Sequence, residues 1–266
     1  MATVKQVYEA VDRLAPFGLQ MSFDNAGFLV GRGDRPVSRI LVALDITGPV
    51  VDEAAEWGAE VIVSHHPVIF QPAQSVTDET SVGRIVLALA ERNIAAICAH
   101  TNLDAVQGGV NDALARAVGL TGIEMLAADG VDGEGRPYGI GRIGVLPEGD
   151  SPSLPEYAQR VKQALRANGV RFVDAGVPVR RVAVGGGACG DMAKDALEKG
   201  CDTFLTSDLK YHEFLDARAM GLNLIDAGHY PTENVVCPVL AEALAGAFPS
   251  VEVRISACHR EVFSYL

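Results

Sequence analysis

The chain has 266 residues, 48% of them apolar and 21% charged, a globular composition with enough length for one large or two small hydrophobic cores. A net charge of −12 and a pI near 4.9 argue against a basic nucleic-acid groove, and no apolar run reaches the length of a membrane span. Five cysteines, odd in number and never in a CxxC pair, argue against a disulfide framework or a thiolate zinc site and point to the cytoplasm.

In chain order, "MATVKQVYEAVDRLA" predicts a helix rather than a signal peptide. Val4, Val7, Val11 and Leu14 fall at helical spacing, Thr3 and Gln6 suit a capping box, and Pro16 marks the stop. In "SFDNAGFLVG" (22–31), Asp24-Asn25 and Gly27 have the chemistry of a structural turn. "RILVALDI" (39–46) predicts a strand that leads through Thr47 and Pro49 into the helix "VVDEAAEWG". The strand "EVIVS" follows, then an irregular loop, the helix "SVGRIVLALAERN" and the strand "IAAICAH". Short apolar strands alternating with helices signal an α/β fold with largely parallel or mixed sheets, in which ligands bind beyond the carboxyl ends of the strands.

An internal repeat organises the chain. Residues 39–66 align without a gap to 181–208, a shift of 142, with Arg39 on Arg181, Ala54 on Ala196 and Gly58 on Gly200. A third strand also recurs, "IAAICAHTNLD" (94–104) against "NLIDAGHYPTE" (223–233), which sets His100 on His229 and Asp104 on Glu233. Between the copies lie a β segment, "YGIGRIGVL", and the helix "SLPEYAQRVKQALRANG". The expected architecture is two similar α/β halves, 1–125 and 126–266, with no long insertion and the site in the cleft between them.

"VIVSHHPVIF" (61–70) poses the chemical question, because neighbouring side chains on a strand point to opposite faces. Pro67 keeps His66 extended, so the pair sits on a rigid exit from the strand. His65, His66, His100, Asp104, His229 and Glu233 all fall at strand ends. Imidazole and carboxylate without thiolate suit Zn, Mn, Fe, Co or Ni at a catalytic centre. Six potential ligands exceed what one tetrahedral ion requires, and two ions side by side would use His65 and His66 one each. "GGGACGD" (185–191) reads as a tight strand–helix turn rather than a phosphate cradle, because it lacks the full Walker or Rossmann pattern. His212, on the helix after the fifth strand, is open between a site-facing and a solvated role, and His259, in the last strand, reads as structural.

"SFDNAGFLVG", "VIVSHHPVIF", "AHTNLD", "TSDLKYHEFLDA" and "DAGHYPTEN", in this order and spacing, resemble the NIF-three-like family of dinuclear-metal hexameric proteins, the GTP cyclohydrolase type-two homologues. Phe23 stands where that family usually has tryptophan, and the large insertion of its longer members is absent. The resemblance implies intertwined α/β lobes, a toroidal homohexamer and two divalent metal ions per subunit, drawn from Zn, Fe, Mn, Co, Ni or Mg. It places the ligands on His65, His66, Asp104, His229 and Glu233, with Glu233 bridging, and leaves His100 beside the metals as a catalytic residue. It implies a metal-dependent hydrolase acting on an anionic, nucleotide-like small molecule, with a metal-bridging hydroxide as nucleophile. The alternatives are a two-metal phosphoesterase or nucleotide hydrolase, and a non-enzymatic metal-binding scaffold. Neither a membrane nor nucleic acid is expected as a partner.

Overall fold

A computed structural model describes residues 1–266. The N-terminal helix Val4–Leu14 forms as its sequence dictates. The Thr3 side chain accepts from the Gln6 amide and Gln6 reaches back to the Thr3 amide, while Val4, Val7 and Val11 are buried. The later elements follow the expected alternation. Strand Arg39–Ala43 is buried on both faces from Ile40 onward, as are Val61–Ser64 and Ala95–Cys98, which is why these strands read as unbroken apolar runs.

The chain divides into two compact units. Unit 1 comprises Met1–Leu103 and Cys237–Arg260, and unit 2 comprises Asp104–Val236 and Glu261–Leu266. A single cut near residue 125 does not describe this division. The first crossing falls inside the short helix Thr101–Ala105, so Asp104 belongs with His229 and Glu233 rather than with His100.

Unit 1 is built on a five-stranded sheet in the order Glu252–Ile255, Arg39–Ala43, Val61–Ser64, Ala95–Cys98, Gly27–Val30. The first four strands run parallel and the Gly27–Val30 edge strand antiparallel. Leu41, Ile62 and Ala96 on the sheet pack with Val50, Ala54 and Leu89 from the covering helices. Unit 2 has a six-stranded sheet in the order Arg171–Val173, Asn223–Asp226, Thr203–Thr206, Arg181–Val184, Arg142–Val145, Thr121–Met125. Asn223–Asp226, Thr203–Thr206 and Arg181–Val184 are parallel; Arg171–Val173 and Arg142–Val145 flank them antiparallel, and Thr121–Met125 pairs antiparallel with Arg142–Val145 at the edge. No helix is long and apolar enough to cross a membrane.

The repeat reaches individual hydrogen bonds. In unit 1 the Glu60 carboxylate accepts from the amides of Ser38 and Arg39, clamping the start of the central strand. In unit 2 Asp202, 142 positions later, accepts from the amides of Arg180 and Arg181. Arg39 donates to the carbonyl of Trp57, and Arg181 donates to that of Lys199. Gly58 and Gly200 follow the intervening helices at φ 77° and 73°, a left-handed conformation open to glycine at little cost. The ladder pairs Ile40 with Val61 in one unit and Val182 with Thr203 in the other, the same register under the same shift.

Candidate metal centre

In unit 1 the chain leaves Val61–Ser64 directly into His65 and His66, and leaves Ala95–Cys98 into Ala99 and His100. The parallel ladder places Ser64 opposite Cys98, so both exits open at the same carboxyl edge of the sheet. There the three imidazoles gather, with ring centroids 5.0 Å (His65–His66), 5.2 Å (His65–His100) and 5.5 Å (His66–His100) apart. One potential ligand atom from each lies within 4.8 Å of the others.

Each ring is turned by an oxygen on its Nδ1. His65 Nδ1 lies 2.9 Å from the carbonyl of Ala99, His66 Nδ1 lies 2.7 Å from Asp45 Oδ1, and His100 Nδ1 lies 2.7 Å from Asp24 Oδ1. A carbonyl or carboxylate oxygen only accepts, so Nδ1 carries the proton and Nε2 keeps its lone pair for a cation. Asp24 also accepts from the amide and the hydroxyl of Thr101. Burial pushes its carboxyl up, but the bonds from His100 and Thr101 outweigh burial and hold it well below the ordinary range. The Asp24-Asn25 turn is therefore structural in a specific way, since it orients His100.

In unit 2, His229 and Glu233 begin and end the short helix His229–Glu233, four residues apart on one face. His229 Nδ1 lies 2.6 Å from Asp208 Oδ2, which orients the ring as in unit 1, but Nε2 is itself 3.0 Å from Glu233 Oε2. Here both nitrogens face carboxylate oxygens, and a cation would take the place of the Nε2 proton. Asp104 is as buried as Glu233, and the two offer carboxylate oxygens within 4.8 Å of each other. Two buried carboxylates this close repel unless a positive charge lies between or beside them.

A polar network that is itself buried holds the backbone at Asp104. Asn111 donates to the carbonyl of Asp104 at 3.0 Å and accepts from the amide of Gly186 at 2.9 Å. Next to it, Asp112 pairs with Arg142 at 2.6 Å. Arg142, 2% exposed, also donates to the carbonyls of Gly139, Gly141 and Val106, each at 2.8 Å. The Gly185–Gly190 segment is a tight turn, as expected. Its Gly186 and Gly187 amides are spent on Asn111 and Thr232, so they are not a phosphate cradle. Gly187 is left-handed at φ 68°, and a Cβ there would overlap Glu233 Oε1.

The structure thus brings His65, His66 and His100 together in one unit, and Asp104, His229 and Glu233 in the other. His212 is exposed on the helix Tyr211–Met220. His259 lies beyond the last strand, Glu252–Ile255, rather than in it, with Nδ1 on the carbonyl of Ser256. Sequence reasoning missed Asp45, Asp208, Asn111, Asp112 and Arg142. The donor set fits divalent cations of the Zn, Mn or Fe type. It offers imidazole Nε2 atoms, oriented through Nδ1, and carboxylate oxygens, and no cysteine joins either group.

A protein of Clostridium perfringens named GTP cyclohydrolase 1 type 2 homolog is 32% identical over 265 residues, 99% of both chains. One of the same name from Clostridium acetobutylicum is 34% identical over 92% of this chain and 90% of its own. The crystal structure of Staphylococcus aureus protein SA1388 superposes with a TM-score of 0.93 at 30% identity, covering 99% of each chain. Residues 2–261 match the profile of one family, and with these full-length relatives they establish that the chain belongs to the Duf34/NIF3 (NGG1p interacting factor 3) family.

Proposed function

We propose that the chain is a metal-dependent hydrolase of a nucleotide-like substrate, working through a dinuclear centre to which both units contribute. The observation that carries this reading is the common posture of the four histidines. Each donates Nδ1–H to an oxygen acceptor, the posture of imidazoles that ligate a cation through the other nitrogen. The helix Thr101–Ala105 supports a joint centre, since it carries the chain from His100 to Asp104 in about 6 Å of helical rise. Bound divalent ions would polarise a substrate oxygen and acidify the attacking water.

The chain's own residues divide the work. His65, His66 and His229 would hold the ions through Nε2, and Asp104 and Glu233 would hold and neutralise them. Asp45 and Asp208 lock the rings they touch. His100, fixed by Asp24, moves a proton through Nε2, an orienter–base pairing familiar from other hydrolases. The relatives' name, GTP cyclohydrolase 1 type 2 homolog, supports a guanine nucleotide as first substrate to try.

Metal analysis of the purified protein followed by GTP turnover, read for both formate and phosphate, tests the proposal. Formate marks ring opening, and phosphate without formate marks a two-metal phosphohydrolase. Full metal loading with neither product marks a binding protein and removes the hydrolase. His100→Ala should keep two metals per chain while turnover falls roughly 10²–10⁴-fold. Loss of metal instead would make His100 a ligand. Light scattering on the same sample tests the ring of six subunits that we propose as its assembly.

A further inference from the structure

Beside the histidine cluster of unit 1 stand two phenylalanines that folding leaves in solvent. Phe23 is 61% exposed and Phe70 40% exposed. Their ring centroids are 6.5 Å apart with planes at 69°, and Phe70 stands edge-on to His100 at 6.0 Å and 86°. Rings this exposed gain little from burial, so core packing does not account for them.

Their loops are nonetheless held firmly. Asp24, next to Phe23, grips His100 and Thr101, as described above. Asn25 Nδ2 donates to the carbonyl of Ile69, next to Phe70, at 2.5 Å. The Met21 amide donates to Thr101 Oγ1 at 2.9 Å, and the Ala26 amide to Gln20 Oε1 at 2.8 Å. The Asp24 bonds that orient His100 therefore also hold the backbone beside Phe23, and Asn25 ties the backbone beside Phe70 to the same turn. Rigid aromatic rings with free faces are the usual device for holding a flat ring, since stacking needs no hydrogen-bond pattern and little ordering on binding.

We propose that Phe23 and Phe70, with planes at 69°, form an aromatic platform, a corner in which the heteroaromatic ring of the substrate stacks on one ring and meets the other edge to face, presenting its own edge to the His65–His66–His100 cluster. The proposal rests on the hydrolase reading for its substrate class and adds the residues that recognise the base. Both rings are apolar and carry no donor, so the platform selects flatness and leaves discrimination among bases to other contacts. Sugar and phosphate then contribute nothing to this part of the affinity.

Calorimetry on the metal-loaded full-length protein tests this with GTP, guanosine and ribose 5-phosphate. Guanosine should bind well above ribose 5-phosphate. Phe23→Ala and Phe70→Ala should each weaken GTP and guanosine about tenfold, leaving ribose 5-phosphate, metal content and melting temperature unchanged. Phe23→Trp should restore or tighten binding. Unaltered guanosine affinity in both alanine variants would overturn the platform, as would a change in oligomeric mass on scattering, which would assign the rings to a subunit contact. The two readings fail separately. Protein that hydrolyses inorganic triphosphate as fast as GTP and binds guanosine no better than ribose 5-phosphate keeps the hydrolase and loses the platform. Protein that loads no metal but binds guanosine through these rings keeps the platform and loses the hydrolase.

Discussion

The two copies of the strand–helix–strand repeat share a frame and differ where the strands end. The carboxylate clamp, the arginine bond to the helix C-terminus and the left-handed glycine recur at a constant shift of 142. Beyond the second strand, however, Ser64-His65-His66 in unit 1 becomes Thr206-Ser207-Asp208 in unit 2. A histidine pair is thereby replaced by a buried serine and an aspartate that steers a histidine beyond the next strand. Beyond the first strand, Asp45, which steers His66, becomes Gly187, which makes room for Glu233. The frame tolerates either chemistry because its own bonds lie at the opposite ends of the strands. One copy supplies clustered imidazoles, and the other supplies carboxylates backed by a buried polar network.

The largest test of this division sets Glu233→Ala against His66→Ala. If Glu233 serves two ions, its loss should take the metal content from two per chain to none at micromolar protein, while His66→Ala retains one. Mass spectrometry under native conditions reads both, and equal losses would erase the distinction.

Unit 2 contains a buried ion pair, Arg142 with Asp112. Arg142→Met should cost up to about 3–5 kcal/mol in urea unfolding, because buried Asp112 then keeps only the exposed Arg116, at 3.7 Å, as counter-charge. The double change Arg142→Met with Asp112→Leu should recover much of that loss. A single change costing under about 1 kcal/mol would mean that the network is no support at all.

Asp45→Asn and Asp208→Asn remove matched steering groups from the two units. Each should weaken metal binding about 10–100-fold without unfolding the chain, as measured by competition with a chelator. An effect confined to one unit would show that the histidine steered there matters more to metal binding than its counterpart.

The smallest effect concerns the clamps. Glu60→Gln and Asp202→Asn should each cost about 1–2 kcal/mol. Burial raises the Glu60 carboxyl, but bonds from the Ser38 and Arg39 amides and the Ser38 hydroxyl outweigh burial and lower it. A lowered folded-state value gives stability that is present above the ordinary carboxylate pKa of about 4.3 and is lost as pH falls below it. Glu60→Gln should accordingly flatten the acid limb of the stability curve below about pH 5.

The ligand-type residues were legible because strand ends in an alternating α/β chain mark where ligands go, and the histidines and acids fell there at matched spacing. Their steering groups were not. Asp45 and Asp208 each act on a histidine 21 positions later, and Asp24 acts on one 76 positions away, so no local pattern announces the pairing. The repeat held a clue, in that Asp208 aligns with His66, but a carboxylate opposite an imidazole reads equally well as divergence. The alignment of the third strand also slips by one. His100 lies two residues beyond Cys98, whereas His229 lies three beyond Asp226, the extra residue being absorbed near the left-handed Gly228. The unit boundary left no trace in composition because it falls inside a five-residue helix, not a linker.

That boundary has a consequence for how the protein is made. Unit 1 is completed by strand Glu252–Ile255, which pairs with Arg39–Ala43 and is synthesised only after all of Asp104–Val236 has left the ribosome. Until it arrives, one side of the apolar strand Ile40–Leu41–Val42 is an open template for foreign strands. The first hundred residues therefore cannot finish folding on their own during synthesis, while the long unbroken stretch Asp104–Val236 already contains every strand of the unit 2 sheet. The segment translated second is the one free to fold first, and the nascent N-terminal sheet is the part of this chain with most need of a chaperone.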